Sequence, residues 1–160
     1  MLDGLAHSPT EVAIEFRRCY IGKLRYISLV LELVAIAKAL ADPTRIRVIA
    51  AVRNGELCVC ELVDALDISQ SSLSSHLQIC RQAGVLATRK EGRWIYYSLS
   101  TRYAPLIERI FSELQTVGTD EQVRRDTRRL KKRLQMREGG RCVVGFGQLE
   151  RERELADVVD

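Results

Sequence analysis

The chain has 160 residues, 46% of them hydrophobic and 29% charged, with a formal net charge of +4 and an isoelectric point near 8.9. That length allows one domain with a real core plus an appendage, and the mild basicity permits nucleic acid without demanding it. Five cysteines, an odd number, and no opening secretory segment point to free thiols in a reducing cytoplasm, and the most apolar run, Ile27 to Ala41, is too short to span a bilayer and carries Glu32 and Lys38.

Residues 1–25 read as an N-terminal extension. Gly4 and Pro9 break its start, and Thr10 caps a short helix ending near Gly22. Cys19 on that helix is either a small core hydrophobe or a metal ligand donated from outside the main site. Tyr26 to Ala41 is a strongly apolar helix with Ile27, Val30, Leu31, Val34, Ala37 and Leu40 in register. It wants a partner, as a core helix or as half of a dimer interface. Asp42-Pro43-Thr44 stops it, and a helix from Thr44 to Arg53 closes at Asn54-Gly55.

From Glu56 to Leu77 the sequence reads as helix, three-residue turn, helix. Leu62, Leu66 and Ile68 form the apolar side of the first helix and turn, Ser69 caps the second, and Leu73, Leu77 and Cys80 continue at helical spacing. This is a helix-turn-helix unit, whose second helix suits the major groove of DNA. Val85–Lys90 and Trp94–Leu99 are rich in β-formers, with Glu91-Gly92-Arg93 as a compact turn between them. A hairpin placed there makes a winged helix. The expected architecture is mainly α with a β-hairpin wing (α+β), spanning residues 26–118, with a helical dimer interface. Its last helix, about Arg102 to Val117, is capped by Ser100 or Thr101 and lines one face with Leu106, Ile107, Ile110, Phe111 and Leu114; it pairs naturally with the Tyr26–Ala41 helix at that interface. Residues 119–160 read as a basic helical segment rich in arginine, first as a solvated face and second as a non-specific phosphate contact, followed from Gly139-Gly140 by a mobile tail carrying Cys142.

Several of these motifs occur together in a known order: Ala39-Leu40-Ala41-Asp42-Pro43-Thr44-Arg45, then Glu56-Leu57-Cys58-Val59-Cys60-Glu61-Leu62, then Ser69-Gln70-Ser71 with Ser75-His76-Leu77, then Gly92-Arg93-Trp94 with Tyr96-Tyr97. In this order they resemble the ArsR/SmtB family of metalloregulatory repressors, and the Cys-Val-Cys stretch resembles its arsenic branch. The resemblance covers roughly residues 26 to 118. It implies a cytoplasmic homodimer that is a transcriptional repressor and not an enzyme. Such a dimer binds an inverted-repeat operator in double-stranded DNA and leaves it when As(III) or Sb(III) arrives as inducer, with no organic cofactor and no membrane partner. The arsenic branch often carries a third cysteine one turn after the pair, where this chain has Val63. Either two thiolates suffice, or Cys19, Cys80 or Cys142 completes the set; Cys19 ranks first, because an N-terminal helix can lie over the partner's reading head.

Thiolates select soft centres, so Cys58 and Cys60 are the metal-site candidates, with Cys19 as the third. Spaced i and i+2 on a regular helix, the pair would point to nearly opposite sides, so joint ligation would require local unwinding that strains the second helix. Gln70, Ser71, Ser72, Ser74, Ser75 and His76 are the DNA-reading candidates, and Arg89, Lys90 and Arg93 on the wing suit phosphates or the minor groove. Arg45 and Arg47 suit DNA phosphates or internal ion pairs. Competing readings keep the DNA and change the signal to redox state, zinc or cadmium, or replace the function with a thiol enzyme or a protein-binding winged helix. The enzyme reading suffers from Cys-x-Cys spacing and only two histidines, His7 and His76.

Overall fold

The structure, a computed structural model, describes residues 26–114 and 120–146. The expected N-terminal helix with Cys19, and the last residues from 147 on, lie outside that range. The chain divides into two compact units, residues 1–35 and 36–160. Residues 26–40 are helical (α1). The part in the first unit is amphipathic only weakly: Tyr26, Leu29, Leu31 and Leu33 are each more exposed than buried.

The second unit is built from local signals that mostly match the sequence. Asp42 caps α2 (Pro43–Val52), its carboxylate accepting the Arg45 N–H at 2.9 Å, and Pro43 occupies the first turn, where no N–H is needed. β1 (Leu57–Cys58) leads directly into α3 (Val59–Leu66). Asp67 ends α3 in the left-handed region at φ 56°, and Ser69 caps α4 (Gln70–Gln82) by accepting the Ser72 N–H. This is the expected helix-turn-helix, with Leu62, Leu66, Leu73 and Leu77 fully buried between its two helices and α2.

β2 (Leu86–Glu91) and β3 (Trp94–Leu99) form the antiparallel wing, turned through Gly92 at φ 57°. β1 adds to the other edge of β3, pairing Cys58 with Tyr96, so the sheet order is β1-β3-β2. The wing is therefore joined edge to edge with the start of α3. α5 (Ala104–Glu113) is shorter than the expected Arg102–Val117 within the described residues, and its N-cap is Tyr103; the Ser100 carbonyl instead accepts the N–H groups of Tyr103 and Ala104.

The C-terminal segment differs most from expectation. α6 (Glu121–Leu134) keeps a solvated outer face, with Arg124, Arg125, Arg128, Lys131 and Lys132 exposed, but its other face is engaged with the winged helix. It packs against α3 through an antiparallel ladder of opposite charges. Arg129 pairs with Asp67, Arg133 with Asp64 at 2.7 Å, and Arg137 with Glu61 at 2.7 Å. Acids three apart on α3 thus meet arginines four apart on and beyond α6. Arg47 of α2 adds a pair with Asp126 at 2.6 Å. Past α6, Glu138 and Arg141 bridge across Gly139 and Gly140, both at positive φ. Two consecutive left-handed residues make the tight reversal that glycine permits, and it returns the chain to bury Cys142.

Candidate metalloid centre and nucleic-acid interface

Cys58 is not helical. It is the N-cap of α3, with extended backbone at φ −80° and ψ 165°, while Cys60 lies inside the first turn. The i, i+2 divergence expected of a regular helix therefore does not arise, and no unwinding is needed for the two thiols to face one point. Cys142 joins them: the Sγ atoms of Cys58, Cys60 and Cys142 all lie within 4.8 Å of one another, and all three residues are buried. Tyr96 and Trp94 cover the group. Cys80 is buried elsewhere in the core, on α4.

Each thiol is held by its own element. The Cys58 N–H donates to Glu61 Oε2 at 2.8 Å, which fixes the cap. Glu61 is itself fully buried and is engaged by both Nε and Nη2 of Arg137. Burial by itself would raise the Glu61 carboxyl, but Arg137 and the Cys58 N–H outweigh it and hold it below the ordinary value. The Cys142 N–H donates to Tyr96 Oη at 3.0 Å, and Arg133, wholly buried, points Nη2 at Cys142 Sγ at 3.7 Å while donating to the carbonyls of Val144 and Gly145. The shared hydrogen bond between Cys58 and Cys60, then burial, drives the Cys58 thiol strongly up; the same bond brings Cys60 down. Burial, reinforced by Cys58, pushes Cys142 up to about 11. Cys58 and Cys60 thus titrate as a hydrogen-bonded pair.

The candidate DNA surface is less uniform than its sequence suggests. Gln70, Ser71, Ser72, Ser74 and Ser75 are exposed along α4. His76 is half-buried and faces Asp42 Oδ1 from Nδ1 at 3.4 Å without forming a hydrogen bond, so it turns toward the cap of α2. On the wing, Lys90 is exposed and the Arg93 guanidinium lies over the Trp94 ring, 4.6 Å from its centroid. Arg89 is already engaged: it binds Glu56 and Glu91 and stacks 4.8 Å above Tyr96. Arg45 and Arg47 are internal, Arg45 donating to the carbonyls of Lys38 and Ala39 and Arg47 to Asp126 and the Leu66 carbonyl.

The sequence places Tyr96 in a wing motif and Arg133 and Arg137 in the basic segment, without marking any of them as a neighbour of the thiols, and it ranks Cys142 behind Cys19. The signal that was available is the match of Glu61, Asp64 and Asp67 with Arg129, Arg133 and Arg137, two regular spacings of opposite sign that suit antiparallel helices.

A helix-turn-helix followed by a β-hairpin packed on its start defines a winged-helix regulator. The model of the bacterial regulatory protein, arsR family, matches residues 42–88. The chain is 41% identical over 81 residues to the arsenical resistance operon repressor of Escherichia coli, covering 50% of this chain and 69% of that protein. It is 51% identical over 65 residues to the arsenic resistance transcriptional regulator ArsR1 of Pseudomonas putida, 40% of this chain and 51% of that one, so the chain spans about half the length of that relative. The homodimeric winged helix-turn-helix DNA-binding domain of Mb0332 from Mycobacterium bovis superposes with a TM-score of 0.51 at 25% identity, over 59% of this chain and 85% of that one. The chain belongs to the arsR family of bacterial regulatory proteins.

Proposed function

We propose that the protein is a homodimeric transcriptional repressor that holds operator DNA, an inverted repeat, through α4 and the wing, and releases it when trivalent arsenic or antimony is taken up by cysteine thiolates. The observation that carries this reading is the convergence of buried thiols at the start of α3, the first helix of the DNA-reading unit. The names of the Escherichia coli and Pseudomonas putida relatives support the ligand. The homodimeric Mycobacterium bovis domain supports the assembly, as do the exposed apolar side chains of α1 and, on α5, Leu106. Among the described residues no helix is long and apolar enough to cross a membrane.

Bound As(III) supplies bonds to sulfur that replace the hydrogen bonds among the thiols. Cys58 is at once a residue of β1, paired with Tyr96 on the wing, and the cap of α3. Cys60 is fixed in the first turn of α3. Drawing the two sulfurs together therefore moves the wing strand against the reading head, and the two α4 helices of a dimer lose the spacing that two half-sites require. A coupling of about 2–4 kcal/mol weakens the operator complex ~30- to 1,000-fold. Zinc fits less well, since a closed zinc site takes four ligands and, among the described residues, the cluster holds three cysteines and no histidine or carboxylate.

The test is fluorescence anisotropy of the reduced protein on its own upstream DNA, with arsenite, zinc and peroxide titrated separately. Release by arsenite, lost in Cys58→Ser/Cys60→Ser, is the expected result. DNA binding that ignores arsenite overturns the reading; release by peroxide with recovery in reductant assigns the same thiols to redox sensing instead.

A further inference from the structure

The geometry points to Cys142 as the third sulfur ligand of the thiol site, donated by the C-terminal segment that lies outside the winged helix, and to a ligand with three exchangeable positions. This deepens the arsenic reading and rests on it. Position 63, one turn along α3, is valine, so α3 and its N-cap together offer two sulfurs, Cys60 and Cys58. Cys142 closes the set within the same protomer, with its Sγ within 4.8 Å of both others.

A buried cysteine is commonly a small core hydrophobe, and Cys142 does lie in an apolar cluster with Tyr96 and Trp94, but polar groups also converge on it. Its N–H is tied to Tyr96 Oη, and a wholly buried guanidinium is aimed at its sulfur. The Gly139-Gly140 reversal and the bridge between Glu138 and Arg141 set the direction from which it enters, and Arg141 Nε holds Glu91 Oε1 at 2.7 Å. Position and approach are thus fixed from both sides before any ligand arrives, which lowers the entropy cost of a third bond.

The chemistry closes without a redox partner. Three thiols displace the three hydroxides of arsenous acid: three As–S bonds form, three As–O bonds break, the three thiol protons leave in three waters, and arsenic stays trivalent. Phenylarsine oxide, hydrated to a dihydroxide, has two positions to exchange, so it engages Cys58 and Cys60 and leaves Cys142 out.

X-ray absorption on the reduced full chain with one equivalent of arsenite reads the coordination directly. Three sulfurs are expected for wild type and for Cys19→Ser, and two sulfurs with one oxygen for Cys142→Ser and Cys142→Ala. Removal of an intramolecular third attachment lowers arsenite affinity about 100-fold, while phenylarsine oxide binds wild type and both Cys142 variants equally. Two sulfurs in wild type overturn the assignment, as does loss of the third sulfur in Cys19→Ser. Equal weakening of arsenite and phenylarsine oxide by both Cys142 variants also overturns it, because Cys142 then acts only by holding the fold. These outcomes leave arsenite-driven DNA release intact; failure of arsenite to bind at all removes the broader reading instead.

Discussion

Arg133 is wholly buried and meets Asp64, whose side chain is 3% exposed, at 2.7 Å. Moving both charges out of water costs more than their attraction returns unless every remaining donor is used. Here the guanidinium also reaches two carbonyls and the Cys142 sulfur. Such a pair is costly to break from one side. Arg133→Met removes the guanidinium side of this buried ion pair and is expected to destabilise the protein by about 3–5 kcal/mol, read from urea unfolding. Arg133→Met/Asp64→Leu removes both charges and recovers part of that loss, short of the two carbonyl bonds. A double variant no more stable than the single one counts against the charge argument.

At the scale of elements, the wing shows how a basic tip divides its labour. Arg89 is neutralised by Glu56 and Glu91, and Glu91 is shared with Arg141 of the C-terminal segment. Arg89 is itself exposed, as are Lys90 and Arg93, but Arg89 is the one held by two carboxylates. Lys90→Ala is expected to lower the slope of log affinity against log salt by about 1 on any DNA sequence, whereas Arg89→Ala changes that slope less because its charge is already paired. Anisotropy titrations across salt concentrations check both. The elements themselves were largely legible in the sequence, because their signals are local: Ser69 before α4, Pro43 in the first turn of α2, Gly92 between β2 and β3. The thiol site was legible only in part. Glu61 three residues after Cys58 is a cap signal, and it places Cys58 outside the helix, but the i, i+2 spacing read alone suggested two divergent helical side chains. Cys142 could not be found by periodicity, since a tertiary reversal brings it to residues more than eighty positions earlier.

For the whole molecule, the proposed dimer assigns the unburied apolar side chains of α1 to its interface. Leu29 and Leu33, one turn apart on the same face, are 64% and 65% exposed, and Leu31 on another face is 64% exposed. Leu29→Glu/Leu33→Glu is expected to give a folded monomer by sedimentation velocity and to abolish tight binding to the two-half-site operator. A variant that stays dimeric places the interface elsewhere. The ladder that joins α6 to α3 has a different kind of consequence. α4 and the wing tip belong to one stretch of chain, while Arg129, Arg133, Arg137 and Cys142 belong to a later one that meets them through α3 and the inner strand of the sheet. On the proposed reading the thiol site is thus divided between the two pieces, Cys58 and Cys60 on the stretch that carries α4 and the wing and Cys142 on the later one, so a recombination or a graft that exchanges residues 120–146 while preserving Glu61, Asp64 and Asp67 changes the third ligand alone and leaves α4, which addresses the DNA, untouched.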